Sequence, residues 1–355
     1  PLRTSGNQRY IVDRNDTPFL VHGDTAWSLI SGLSSEQAER YLENRRGKGF
    51  NSMIVNLIEH KFKGPKNRYG EEPFTMSGDF STPNERYFRF ADRIMERASE
   101  LGIVVFLAPI YLGYRNPADD DGWIKEVLLN GLEKCRQWGR YMGKRYGKFD
   151  NLVWLMGGDR NPDEALDHVD AVVEGIKEFD SRHLFTAHVA PESSPVIEYG
   201  RGNWVTLNAT YTYEVVHRKL IVDYNRQPVL PFILIESTYE GEHNCSPVQV
   251  RRQAYWSVLC GACGHFFGNR PIWLFDPGWE EAMDWRGSHD MIRLKSLFLS
   301  RPWYKLIPDQ EHRVLTGGMG EFRGLDFVAA AKTEDGGTLI AYLPAARTLT
   351  VDVTK

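Results

Sequence analysis

Two acidic residues, each closing an apolar run, are the groups in this sequence best suited to chemistry. Asp159 ends Asn151-Leu152-Val153-Trp154-Leu155-Met156-Gly157-Gly158-Asp159, and Glu236 ends Pro231-Phe232-Ile233-Leu234-Ile235-Glu236. Such runs read as buried strands, and an acid at the end of a buried strand is costly unless it is paired or used. Two carboxyl groups over one pocket are the minimum equipment for cleaving a glycosidic bond. One protonates the leaving oxygen while the other attacks the anomeric carbon or activates water. Three other acids compete for the role. Glu240 and Glu242 sit around Gly241 and before His243, which marks a loop, and Glu59 in Glu59-His60-Lys61 reads as a solvated residue for a substrate contact or an ion pair.

The elements that must hold such a pair show in the apolar pattern. Short apolar runs bounded by Gly or Pro alternate with stretches of helical period. Strands are predicted at 19–23, 51–57, 103–110, 152–156, 184–189, 204–208, 232–235 and 264–273. Ser34 and Gln37 form a capping box ahead of Ala38, Tyr41 and Leu42, and Tyr87, Phe90, Ala91, Ile94, Ala98 and Leu101 keep helical spacing up to Gly102. Strand then helix, repeated eight times, predicts an α/β fold, a (β/α)8 TIM barrel over residues 1–307. Residues 308–355 change rhythm, with short β segments at 312–315, 326–331, 338–343 and 348–353 between turn signals such as Gly317-Gly318 and Asp335-Gly336-Gly337. They predict a small C-terminal antiparallel β domain that leans on the barrel or has been cut before its last strands.

In a TIM barrel the active site lies at the C-terminal ends of the strands, so position alone nominates candidates. Asp159 after strand four and Glu236 after strand seven are the catalytic pair. His22, Asp24, Trp27, Asn56, Tyr111, His188, Asn208, Tyr211 and Trp273 are the substrate-binding candidates. Trp123 and Trp279 join Trp27 and Trp273 as rings able to stack on a sugar face. Asn161-Pro162-Asp163-Glu164 reads as the cap of the next helix, which frees Asp159 from that duty, and Gly157-Gly158 is expected to let the backbone approach a ligand.

Composition narrows the partners. A formal net charge of -4 gives no reason to expect nucleic acid or an anionic membrane, and no apolar run has the length of a membrane span. Four cysteines are too few for a disulfide scaffold. Cys260 and Cys263 lack the second pair that a structural zinc site needs, so buried free thiols are expected. There is no His-Glu-x-x-His, Gly-x-Ser-x-Gly, phosphate-binding loop or dinucleotide fingerprint. The expectation is a carbohydrate partner with no cofactor and no metal, and oligomeric state is left open.

The residues also resemble a known group. Tyr10-Ile11-Val12-Asp13, Pro18-Phe19-Leu20-Val21-His22-Gly23-Asp24-Thr25-Ala26-Trp27 and Lys48-Gly49-Phe50-Asn51 are similar to the opening of the DUF4038 glycosidase-like proteins, which include glycoside hydrolase family 140, the apiosidases of pectin breakdown. Val153-Trp154 through Gly157-Gly158-Asp159 and Gly264-His265-Phe266-Phe267-Gly268-Asn269 with Ile272-Trp273 continue the resemblance. Trp303-Tyr304-Lys305-Leu306-Ile307-Pro308-Asp309-Gln310 and the β tail resemble that group's C-terminal domain. The resemblance implies a retaining barrel glycosidase with Asp159 as acid/base and Glu236 as nucleophile. It also implies that Tyr211 hydrogen-bonds the nucleophile, and that Gly158 stands where the wider clan has Asn. A secreted or periplasmic location goes with a polysaccharide substrate. Two alternatives stay open: an endo-acting glucanase or mannanase of the same clan, and a non-catalytic carbohydrate-binding barrel.

Overall fold

The computed structural model of the chain describes residues 1–118 and 121–354. Its centre is one eight-stranded parallel sheet made of β1 (Val21–Thr25), β2 (Ser52–Asn56), β3 (Val104–Ala108), β4 (Leu152–Gly157), β5 (Phe185–His188), β6 (Asn208–Tyr211), β7 (Phe232–Glu236) and β8 (Gly264–Phe267). The strands pair in the order β5-β4-β3-β2-β1-β8-β7-β6, so the sheet curls round until β5 meets β6. There the seam is bridged by Thr206 and Leu207, whose N–H groups both donate to the Phe185 carbonyl at 2.9 and 3.1 Å. The result is a nearly closed TIM barrel. Phe106 of β3 and Phe266 of β8 meet edge to face at 4.9 Å across its interior. Gly23 makes room for them, because a Cβ there would lie 2.2 Å from the Phe266 ring.

Long helices wrap the barrel: α1 (Ser35–Gly47), α2 (Glu85–Glu100), α3 (Ile124–Tyr146), α4 (Leu166–Lys177), α5 (Val216–Tyr224), α6 (Pro247–Leu259) and α7 (Arg286–Leu299). The capping box at α1 is present, with Ser34 Oγ accepting from Gln37 N at 3.3 Å and Gln37 Oε1 from Ser34 N at 3.0 Å. The repeat is incomplete between β5 and β6, where only short turns at Pro195–Glu198 and Gly200–Gly202 stand in for a helix. None of the described helices is long and apolar enough to cross a membrane.

The C-terminal sheet is antiparallel, β9 (Leu306–Pro308), β10 (Ala329–Thr333) and β11 (Leu339–Tyr342), joined by a two-stranded pair, Leu315–Gly317 with Thr350–Val351. Its first strand lies earlier than the β segments predicted for this region. It leans on α6, where Trp256 Nε1 donates to the Phe327 carbonyl at 3.1 Å and Tyr255 stacks on Tyr342 at 4.4 Å. Phe327, Ala329 and Ala331 belong to the same apolar core as the barrel strands, so the appendage and the barrel are packed as one body.

Two strand positions differ from expectation, and both move residues away from the site end. The first strand runs two residues later than predicted, so His22 lies near its start rather than at its site end. It is fully buried, stacked on Phe50 at 4.8 Å and edge-on to His265 at 5.5 Å. Strand six begins at Asn208 instead of ending there, because Trp204 packs outside the barrel on Tyr199 at 5.0 Å. Asn208 is therefore at the far end of β6, its Oδ1 accepting from Ser194 Oγ at 3.0 Å. Cys135, Cys245, Cys260 and Cys263 are free and buried, and burial pushes the Cys263 thiol up to about 12.

Asp24 is likewise structural. Its carboxylate forms an ion pair with Arg45 and accepts from Tyr41 Oη at 2.7 Å, with both charged side chains fully enclosed. Removing one partner of a buried pair leaves the other charge unpaired, at a cost of about 3–5 kcal/mol. Asp24→Ala is expected to lose about that much in urea denaturation while KM of the folded fraction stays put. A stable variant with a raised KM would return Asp24 to the substrate site.

The buried histidines make a second prediction. Burial, then the charges of His265 and Lys295, hold His22 well below the ordinary imidazole range, and burial holds His265 at about 3. Both are neutral in the fold and protonate when it opens. Their contribution is complete above the unfolded value of about 6.5 and is lost as pH falls towards the folded values, at about 1.4 kcal/mol per pH unit each. Between about pH 6.5 and pH 5, His265→Leu should lessen the fall in unfolding free energy by about 2 kcal/mol relative to wild type. Parallel curves would show that the ring protonates in place.

Candidate active site

The site grows from the last residues of neighbouring strands. Asp159 stands two residues past β4, while His188, Tyr211 and Glu236 are the last residues of β5, β6 and β7. Between β6 and β7 the pairing skips one residue, Thr210 opposite Leu234 and Tyr211 opposite Glu236. Such a bulge re-aims the side chain beside it.

Gly157 and Gly158 fix where Asp159 leaves β4, though not by admitting a ligand. Gly157 has φ 83°, and a Cβ there would lie 2.2 Å from the His188 carbonyl oxygen; one on Gly158 would lie 2.8 Å from the Leu112 and Gly113 nitrogens. The glycines let β4 close onto its neighbours, with Gly158 N donating to the His188 carbonyl at 3.1 Å and Leu112 N to the Gly157 carbonyl at 3.0 Å. Asn161 does not cap the next helix. Its Oδ1 accepts from Ala190 N at 3.2 Å, and a 3-10 turn over Asp163–Ala165 without a side-chain cap leads into α4.

His188 lies between the two acids. Its Nε2 is 3.0 Å from Glu236 Oε2, and its Nδ1 is 2.9 Å from Asp159 Oδ1, an ion-pair contact with oblique alignment. The nearest carboxylate oxygens of Asp159 and Glu236 fall within 4.8 Å of each other. The Asp159 side chain is 26% exposed and that of Glu236 only 7%. One acid thus faces the entrance and the other the floor.

The second oxygen of Glu236, Oε1, accepts from Tyr213 Oη at 3.2 Å, and Tyr239 adds a further hydrogen bond. Burial pushes the Glu236 carboxyl up from its ordinary range and the charge of Asp159 adds to this, while the hydrogen bond and charge of His188 pull it back. Burial, then the charge of Glu236, raises the Tyr213 and Tyr239 phenols, so both remain donors at neutral pH. These donors and His188 offset the cost of an enclosed carboxylate.

The carboxyl groups open into a cavity of about 170 Å³ lined by Trp27, Asn56, Phe62, Tyr111, Tyr114, Asp159, Tyr213, Glu236, Tyr239, Glu242 and Trp273. Of the residues nominated by position, Trp27, Asn56, Tyr111, Asp159, Glu236 and Trp273 meet there. His188 stands behind the acids. Tyr211 does not bond the nucleophile; its ring packs on His188 at 4.7 Å and its Oη donates to Tyr213 Oη at 3.1 Å. His22, Asp24 and Asn208 are elsewhere, and Trp123 and Trp279 belong to the outer apolar core.

Several lining residues escaped the sequence reading. Tyr213 is two residues beyond Tyr211, the spacing that keeps an extended chain on one face. Glu242 was passed over as a loop residue. In the fold its Oε1 accepts from Trp273 Nε1 at 2.9 Å, placing a carboxylate beside an aromatic wall. Glu59 is the reverse case, 2% exposed, with Ser28 Oγ at 2.5 Å and Lys63 N at 3.0 Å. Glu240 is held by Gly287 N at 3.0 Å. Asp159, His188 and Glu236 are also the group among the described residues whose donor atoms converge as metal ligands would. Each ring nitrogen of His188 already faces one carboxylate, so a cation ligated by the ring would have to displace one of these contacts.

Comparisons with known proteins bear on the family and the fold. The family model described as the apiosidase-like catalytic domain matches residues 5–305. A glycoside hydrolase family 5 protein from Bacteroides vulgatus ATCC 8482 superposes with a TM-score of 0.87 at 24% identity, over 99% of this chain and 81% of that one. A protein described as a glycoside hydrolase gives 0.81 at 25%, over 94% and 81%. The endo-1,4-beta-mannanase from Rhizomucor miehei gives 0.63 at 12% identity, over 84% and 99%, a likeness of fold. No curated protein matches.

Proposed function

The chain belongs to the apiosidase-like family and is a glycosidase, and from that premise we propose that it removes a single terminal sugar, apiose of pectic side chains, by retaining double displacement. Glu236 attacks the anomeric carbon while Asp159 protonates the leaving oxygen. Asp159 then takes a proton from the water that releases the sugar from Glu236. The observation that carries this reading is the approach of the two carboxyl groups to within 4.8 Å. Retaining enzymes hold theirs about 5–5.5 Å apart, and inverting ones about 6.5–9.5 Å, to seat a water. The more exposed Asp159 suits the acid, which must meet a departing group, and the enclosed Glu236 suits the nucleophile.

Removal of one sugar is favoured by the cavity, whose 170 Å³ is small beside the roughly 300–1,000 Å³ of drug-sized sites. Trp27 and Trp273 offer stacking faces, with Asn56 and Glu242 for hydroxyl groups. An endo-acting glucanase or mannanase would call for a cleft open at both ends, and a pure binder has no need of two converging acids. The reading carries with it a secreted or periplasmic location, where such polymers are met.

The test is a screen of plant and bacterial polysaccharides, pectic side chains included, with product analysis and NMR of the first anomer formed. Apiose released with retained configuration is the expected outcome. Internal oligosaccharides from a glucan or mannan would overturn the exo reading, an inverted first product the mechanism, and binding without cleavage the whole proposal.

A further inference from the structure

His188 was expected to touch substrate, yet it contacts the acids instead. Its ring is 1% exposed, with Trp27 edge-on at 5.4 Å and Tyr211 tilted at 4.7 Å. Within 3.0 Å its two nitrogens meet two different carboxylates. A neutral imidazole has one N–H and one lone pair, so it can donate to only one of them. The other nitrogen would then present its lone pair to a carboxylate oxygen. Two N–H donors remove that repulsion. The nucleophile must be ionised and the acid must have a proton to give, so that proton belongs on the line between Asp159 and Nδ1.

We propose that His188 is a positioning residue that stores the proton delivered by Asp159, making the general acid an Asp159–His188 couple; this rests on the retaining reading above. In the resting protein both carboxylates are ionised and the ring carries two protons. In the first half-reaction Glu236 forms a C–O bond to the anomeric carbon and the glycosidic C–O bond breaks. His188 Nδ1 hands its proton to Asp159, which passes it to the leaving oxygen, so that the ring is left with its Nε2 proton alone. In the second half a water proton returns through Asp159 to Nδ1 as the water oxygen bonds to the anomeric carbon and the Glu236 ester bond breaks. Glu236 and His188 end as they began.

The oblique Asp159 contact is within the range of apo sites that tighten in the substrate complex. Burial lowers the ring's hold on its second proton, but the charges and hydrogen bonds of Asp159 and Glu236 outweigh this and raise it to about 10. The store therefore stays full at neutral pH.

Two measurements decide the matter. Nitrogen NMR of the wild-type protein labelled at histidine reads the ring without any substrate. Both nitrogens of His188 should be protonated at neutral pH, and an unprotonated Nδ1 would overturn the proposal whatever the enzyme cleaves. Kinetics of His188→Gln on phenyl and dinitrophenyl glycosides of the released sugar read the couple at work. The basic limb of kcat/KM should move down by several pH units, and the penalty on the phenyl substrate should exceed that on the dinitrophenyl one by about 100-fold. An unmoved limb with equal penalties would reduce His188 to a structural prop. A doubly protonated ring in a protein that cleaves no glycoside would overturn the glycosidase reading, and the proton store with it.

Discussion

Glu236→Gln is expected to abolish turnover of activated and natural glycosides alike, with kcat lowered on the order of 10⁴-fold or more. The amide keeps the shape of the side chain and can still accept from Tyr213, but it has neither the charge nor the nucleophilic oxygen. A better leaving group cannot compensate, because the missing bond is the one to the anomeric carbon. The fold should survive, since the substitution removes a carboxyl that burial disfavours. Stopped assays with a dinitrophenyl glycoside, alongside thermal melts, separate the two effects. Activity within tenfold of wild type would refute the nucleophile.

Asp159→Ala should behave differently in kind. A positioned acid contributes about 10²–10⁴-fold, so natural substrates with poor leaving groups should lose about that much. Dinitrophenyl glycosides need no proton, so their first step should be nearly spared while hydrolysis of the glycosyl-enzyme becomes slow. A burst of dinitrophenol followed by a slow steady state is the expected trace. Azide, which attacks without a general base, should restore turnover and yield a glycosyl azide of retained configuration. Equal losses across leaving groups with no azide rescue would strip Asp159 of the acid/base role. The two variants together make a sharp test, because exchanging the roles of Asp159 and Glu236 would exchange the phenotypes.

Much of this arrangement was legible before any coordinates. Apolar runs with Gly and Pro punctuation gave the strands of β2, β3, β4 and β7 near their observed limits, because buried parallel strands are continuous apolar segments. Counting those runs set Asp159 after the fourth and Glu236 after the seventh. The two misplaced strands share one origin. Trp204-Val205 and Phe19-Leu20 are apolar for reasons of packing outside the barrel or before it, and they drew two predicted strands out of register. A shift of a few residues in a short strand moves a side chain from one end of the barrel to the other, and so Asn208 and His22 were assigned to the wrong place.

What the sequence by itself determined is the barrel, the order of its strands and the two acids at their ends, because these depend on local hydrophobicity and on counting. Tertiary structure decided the rest of what surrounds the acids. Tyr213, Tyr239 and Glu242 come to the pocket from loops, whose paths are set by contacts with distant residues. Gly157 and Gly158 serve strand closure rather than a ligand. His188, 29 residues from Asp159 and 48 from Glu236 along the chain, reaches both because curling the sheet brings the ends of β4 and β7 to opposite nitrogens of the ring at the end of β5.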